Sequence, residues 1–196
     1  MNIVQPLRSK TAVQRISRAM RDRSPRDYVL LRMGMCLGRR ISDLLALRVS
    51  DVLAGAGKRV QIAKRLRLVE RKTGKRIELP LKEALRADIA RYIREKGLEP
   101  DDPLFLSRKR GDSGERRPIS RWTAWHSLRK AAEKVGIEDP IGTHSMRKTF
   151  GYHLYKEGVD ITRIQALLNH SSPEVTLRYI GITRDELDGY VETLDI

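Results

Sequence analysis

The amino-acid sequence predicts a mainly α fold with a small antiparallel β-sheet, an α+β arrangement in one domain. Three observations predict it. Apolar residues recur every three to four positions through most of the chain, in runs opened by Ser, Thr or Asp and closed by Gly. One stretch, residues 58–80, instead alternates with period two on either side of a Lys-Thr-Gly-Lys turn. The 196 residues, 40% apolar and 33% charged, suffice for a single domain with a sizeable core.

Residues 1–26 hold seven basic side chains against one acid, Asp22, with Val13, Ile16 and Met20 at helical spacing. They read as a basic amphipathic helix behind a short mobile lead-in, either part of the same domain or an arm. Ser24-Pro25 is a helix start, and Tyr28–Leu37 is apolar on nearly every side, so this helix is expected to be buried with Cys36 as a small core residue. Gly38 ends it. Arg39-Arg40-Ile41 leads to Ser42, a cap for a short helix over Asp43–Leu47, which places Arg40 at a turn beside a helix N-terminus. Between Lys58 and Arg76 nine side chains are basic and one, Glu70, is acidic. Lys72 sits at the tip of this hairpin, and Lys75 is its nearest competitor for any role there.

Leu81–Gly97 puts Leu81, Leu85, Ile89 and Ile93 on one helical face. A short extended segment, Pro103–Ser107, precedes the basic stretch Arg108–Arg117, read as a flexible loop. The helix after Ser120 is expected to bury Trp122, Trp125, Leu128, Ala132 and Val135 and to leave His126 at the surface. Thr143 caps a helix whose first turn carries His144 and Arg147 on one face, where unpaired N–H groups also favour an anion. Asp160 caps the next, with Ile161, Ile164, Leu167 and Leu168 inward, and Asn169 takes the left-handed position at its end. His170 then lies just outside a helix terminus. Ser172-Pro173 opens the helix carrying Tyr179, and Leu187, Tyr190, Val191 and Leu194 give the tail 183–196 an apolar stripe that covers this molecule's core or a neighbour's.

The net charge of +15 points to a polyanionic partner or an anionic membrane. No run of about 18 apolar residues is present to span a bilayer, and residues 1–20 lack the apolar centre of a signal peptide, so nucleic acid is the expected partner. A single cysteine excludes an internal disulfide and a thiolate metal site, and suits a reducing cytoplasm.

Taken together, Arg40 in GRRISDLLALRVSDV, Lys72 in RKTGKRIELPL, His144 and Arg147 in THSMRKTF, His170 in LLNHSS and Tyr179 in VTLRYIG closely resemble the catalytic domain of the tyrosine recombinase, or phage integrase, family over about Asp27–Ile182. The resemblance implies a tyrosine recombinase catalytic-domain-like fold over residues 27–182 and a site-specific enzyme that cleaves and rejoins double-stranded DNA. In such an enzyme Tyr179 is the nucleophile and forms a 3′-phosphotyrosyl link. Arg40 and Arg147 hold the non-bridging oxygens of the scissile phosphate, Lys72 is the general acid, and His144 and His170 assist proton transfer. The chemistry is coherent, because a phenol of pKa roughly 10 needs nearby cations or a base to attack at neutral pH. The resemblance implies no metal, ATP or other cofactor, and neither an Mg²⁺-binding carboxylate cluster nor a Gly-rich phosphate loop accompanies these residues.

It further implies that the C-terminal segment docks on a neighbouring protomer on DNA. The chain departs from relatives in having Asn169 where glycine is common. Arg40 also comes too early for the separate helical DNA-binding domain of roughly 100 residues that most relatives carry, which leaves the basic segment 1–26 as partial compensation. The same six residues suit a type IB topoisomerase-like nicking-closing enzyme. A non-catalytic DNA-binding regulator derived from a recombinase is the third reading, against which the intact six-residue set argues.

Overall fold

Helix capping divides the chain much as the sequence predicts. The computed structural model describes residues 4–55, 61–182, 191 and 192. The Ser9 hydroxyl accepts from Ala12 N–H and starts α1 (Lys10–Arg23), which buries Ile16, Ala19 and Met20. Ser24 ends α1 and begins α2 (Pro25–Leu37), its hydroxyl accepting from Asp27 N–H with proline in the first turn. Eight of the 13 residues of α2 are buried, and it packs against α1, α4, α5 and α6 as the central element. The remaining elements are α3 (Ile41–Leu45), a 3-10 turn at Ser50–Val52, β1 (Arg65–Val69), β2 (Arg76–Pro80), α4 (Glu83–Lys96), α5 (Arg121–Lys134), α6 (Thr143–Lys156), α7 (Ile161–Leu168) and α8 (Pro173–Ile180).

β1 and β2 pair antiparallel, with Leu66 opposite Leu79 and Val69 opposite Arg76. Leu66, Leu68 and Leu79 face the core, whereas Arg65, Arg67 and Arg76 face solvent, so the alternation makes one basic face. Two apolar clusters result. The larger joins α1, α2, α4, α5 and the hairpin. The smaller is built on Tyr152, Ile164, Leu168, Ile180 and Ile182, from α6, α7 and α8. Met146, one turn and a half before Tyr152, belongs to the first cluster, so α6 bridges the two.

Two glycines allow the approaches on which this arrangement depends. Gly38 (φ 62°) turns the chain out of α2, and a Cβ there would lie 2.4 Å from Phe150 Cδ1. Gly151 lets α8 lie against α6, since its Cβ would fall 2.6 Å from Ile180 Cγ2.

Several expectations are corrected. Residues 5–8 are not a mobile lead-in: Gln5 N–H donates to Pro140 O at 2.9 Å, Leu7 N–H to Thr149 Oγ1 at 2.8 Å and Arg8 to Gly181 O at 2.6 Å. Trp122 and Trp125 are exposed, at 65% and 39%, because α5 buries the stripe Ala124, Ser127, Leu128, Ala131 and Ala132 instead. His126 stacks on Trp122, with ring centroids 4.9 Å apart. Cys36 is exposed, on the side of α2 that also carries Arg32. Helix α3 begins at Ile41, with Arg40 rather than Ser42 at its N-cap. Of the tail, only Val191 and Glu192 are described, helical and exposed; the expected contacts of Leu187, Tyr190 and Leu194 lie outside the described residues. No helix among the described residues is long and apolar enough to cross a membrane.

Candidate active site

The site is assembled where the two clusters meet, from four helix ends and one turn. The left-handed residue Gly38 delivers Arg40 to the N-cap of α3 in extended conformation (φ −66°, ψ 147°). Its side chain caps nothing there and instead brings Nη1 to 3.2 Å from Glu70 Oε1, within ion-pair distance.

Arg147, from the first turns of α6, is 2% exposed. Its Nη1 donates to Gly38 O at 2.6 Å and its Nη2 to Leu168 O, tying the end of α2 to the end of α7. A guanidinium has five N–H donors, so this clasp leaves others for a ligand. His144 lies one turn earlier on the same face and is exposed. Its pKa is lowered by partial burial of the ring, then by the Arg147, Lys148 and Arg40 cations.

Helix α7 closes on Asn169 (φ 50°), the one non-glycine residue with positive φ among the described residues. This turn carries His170 against Tyr179, with ring centroids 4.8 Å apart and planes at 72°. His170 Nδ1 is 3.2 Å from Thr176 Oγ1, and that hydroxyl already donates its single proton to Ser172 O at 2.9 Å. Nδ1 is therefore the donor of this pair, which leaves the lone pair on Nε2. Burial, followed by Arg147 and Arg40, pushes His170 down to about 4, so the ring is neutral at pH 7.

That depression has a measurable consequence. An unfolded histidine takes up its proton near 6.5 and the folded His170 only near 4, so in this window the unfolded chain binds more protons. Stability contributed by the neutral ring is complete above the upper value and is lost as pH falls toward the lower one. Thermal melts should show Tm declining across this window, and a His170→Gln variant should show a shallower decline.

Tyr179 extends from α8 with its hydroxyl buried and without a hydrogen bond among the described residues. Burial raises its pKa; Arg147 and Arg40 oppose that rise, Arg147 standing beside the hydroxyl but off hydrogen-bond geometry. Lys148 Nζ lies 5.3 Å from the centre of the Tyr179 ring. Sequence reasoning missed Lys148, which is 7% exposed; its signal was a second basic residue beside Arg147 on a helix that is otherwise buried there.

The hairpin tip divides the two lysines. Lys75 Nζ donates to Asn169 Oδ1 at 2.7 Å, against the His170 segment. Lys72 is exposed on the turn and makes no hydrogen bond or ion pair among the described residues. The structure thus brings Arg40, His144, Arg147, His170 and Tyr179 together, and presents Lys75 more closely than Lys72.

The sequence profile of the phage integrase family matches residues 8–186, a span that contains all of these positions. The chain belongs to the phage integrase family. It is 41% identical over 185 residues to the Bacillus subtilis (strain 168) protein named "Probable integrase/recombinase YoeC", covering 94% of this chain and 93% of that one. It is 31% identical over 166 residues to tyrosine recombinase XerD of Corynebacterium glutamicum, covering 83% of this chain and 50% of the relative. The chain spans about half the length of this and the other tyrosine recombinases it matches. In fold it is similar to the XerA recombinase crystal structure (TM-score 0.74, 21% identity, 98% of this chain and 64% of that one). It is also similar to the XerH site-specific recombinase bound to palindromic difH substrate (TM-score 0.71, 17% identity, 97% of this chain and 53% of that one).

In this integrase-family chain, four buried side-chain polar atoms among the described residues lack a hydrogen bond, and three of them belong to the site: Arg40 Nη1, Asp43 Oδ2 and Tyr179 Oη. The other oxygen of Asp43 accepts from Arg71 N–H at 3.1 Å and anchors the hairpin beside α3.

Proposed function

We propose that this chain is a site-specific DNA recombinase that cleaves and rejoins double-stranded DNA through a 3′-phosphotyrosyl intermediate on Tyr179. Residues 27–182 form its catalytic unit, with the basic segment ahead of them beside it. It works in the cytoplasm, on nucleoid DNA. The observation that carries the reading is a buried tyrosine hydroxyl with no hydrogen bond among the described residues, set among two arginines and two histidines. Buried polar groups ordinarily find partners, and a phosphate diester placed there supplies acceptors for Arg40 and an electrophile for Tyr179. The +15 charge and the basic outer face of the hairpin support a polyanionic duplex as the substrate.

In this scheme Arg40 and the uncommitted donors of Arg147 hold the two non-bridging oxygens and stabilise the charge that develops at phosphorus. The phenol oxygen attacks, its proton passes to a base, and the phosphorus–5′-oxygen bond breaks. Neutral His170, with its lone pair on Nε2, has the right protonation state to receive that proton. His144 adds phosphate contact at the mouth of the site. Lys72 gives a proton to the departing 5′-oxygen, and Lys75, already beside Asn169, is the alternative donor. One phosphodiester is exchanged for another, so rejoining is the reverse reaction and no step draws on a metal or on ATP.

Incubation with nicked suicide duplexes and with supercoiled plasmid tests this. A denaturation-resistant protein–DNA adduct and intermolecular joining are expected. Absence of any adduct on the DNA offered would count for the regulator reading, and relaxation without joining for the nicking-closing one. We further propose that residues 183–196 dock on a neighbouring protomer on DNA. Truncation after Thr183 should then abolish multi-protomer complexes in gel shifts while single-protomer binding persists; unchanged assembly would refute the docking.

A further inference from the structure

We infer that Glu70 is a positioning residue for strand transfer, one buried carboxylate that holds Arg40, the lysine-bearing turn and the His170 segment in fixed relation. The inference rests on the recombinase reading above. Glu70 follows β1 and is 1% exposed. Its Oε1 lies 3.1 Å from Arg39 Nη1 and 3.2 Å from Arg40 Nη1. Its Oε2 accepts from Thr73 Oγ1 at 2.7 Å and from Asn169 Nδ2 at 3.2 Å, and its main-chain carbonyl accepts from Gly74 N–H at 2.8 Å. One residue therefore touches the α2–α3 turn, the hairpin tip and the α7 terminus, the three places from which Arg40, Lys72 or Lys75, and His170 project.

The two adjacent arginines have different jobs. Arg39 is 2% exposed and spends its donors on the protein: Nε on Leu37 O at 3.0 Å, Nη2 on Leu167 O and Nη1 on Glu70. It anchors the carboxylate. Arg40 Nη1 faces the same oxygen at ion-pair distance but without hydrogen-bond geometry, so the carboxylate aims the guanidinium without saturating it. Asn169 completes the connection, since its Oδ1 accepts from Lys75 while its Nδ2 donates to Glu70. Glycine would serve the left-handed turn equally well but would break this chain of contacts from Lys75 to Arg40. A carboxylate suits the position because every side-chain partner is a donor and two of the four are cations. Burial alone would raise its pKa; the Thr73 hydroxyl with Arg40, Arg39 and Arg147 outweighs that and keeps it ionised.

Glu70→Gln and Asn169→Gly test the assignment on the suicide duplex with which the wild type forms its adduct. Adduct formation is expected to slow by about 10- to 100-fold, as small misplacements of catalytic groups do. DNA affinity should be no weaker than wild type, because no phosphate-binding cation is removed. Native-state trypsin cleavage after Arg71 and Lys72 should accelerate by about tenfold as the turn loses charged hydrogen bonds. Wild-type adduct rates in both variants, or a slowing matched by an equal loss of DNA affinity, would overturn the inference. Asn169→Gly decides it where Glu70→Gln does not fold. A wild type that forms no adduct would instead sink the recombinase reading, and the trypsin comparison would still show whether Glu70 holds the turn.

Discussion

Tyr179→Phe is expected to form no covalent adduct with DNA, with strand cleavage reduced on the order of 10⁴-fold or more, as when a covalent nucleophile is deleted. It should nevertheless fold at least as stably as the wild type and bind DNA as tightly. The reason lies in the resting geometry. The Tyr179 hydroxyl is buried and makes no hydrogen bond among the described residues, so removing it breaks no bond and abolishes a desolvation cost of about 1 kcal/mol. The aromatic ring, with its contacts to His170 and Lys148, stays in place. Denaturing gels on a suicide duplex and thermal melts check the two halves separately. An adduct that persists in the variant would refute the nucleophile, and a clearly lowered Tm would refute the orphaned hydroxyl.

The second large effect separates two arginines for which the same chemical role is proposed. Arg40→Ala and Arg147→Ala should each lower adduct formation by about 10²- to 10³-fold, the usual loss when one donor to a developing oxyanion is removed. Their effects on stability should differ. Arg147 is the bond between Gly38 O and Leu168 O, and deleting it leaves two buried carbonyls unpaired, at a cost of about 2–5 kcal/mol. The Arg40 side chain makes one ion pair and no hydrogen bond among the described residues, and Glu70 keeps Arg39 and Thr73 without it, so its loss should cost clearly less than that of Arg147. Urea titrations of the two variants give the comparison directly. Equal stabilities would mean that the Arg147 clasp does not hold α2 to α7. Arg147→Lys should retain part of the phosphate attraction but not the clasp, because an ammonium group cannot match the planar fork that spans both carbonyls.

Much of this site could be read from consecutive residues. Asn169 at a helix end predicts a left-handed turn, and the turn delivers His170 outside the helix, as observed. Ser172-Pro173 predicts the start of α8 and so the face from which Tyr179 projects. The Lys-Thr-Gly-Lys turn predicts the hairpin and its basic outer face. The misses share one cause. The spacing of Trp122 and Trp125 with Leu128 predicts them inward, yet neighbours of α5 accept only the narrow stripe through Ala124, Leu128 and Ala131. An α2 that is apolar almost all round predicts Cys36 inward, but which flank stays open depends on α1 and α6. Lys148 and Glu70 carry no decisive local signal, because a lysine or a glutamate among many charged residues is distinguished only by its burial.

By itself the sequence determined the order and most of the ends of the helices, the position of the hairpin, a charge balance that favours a polyanionic partner and the candidate residue types for the proposed chemistry. These are properties of short windows: a cap, a left-handed residue and an apolar period are each decided within a few positions. Tertiary structure alone decided which cation spends its donors bracing the protein and which keeps them for a ligand. Arg147 meets Gly38 across 109 positions, and Arg39 meets Glu70 across 31. A guanidinium donates only to acceptors within about 3 Å, so its role is set by whichever carbonyls and carboxylates the packing of distant segments brings to it.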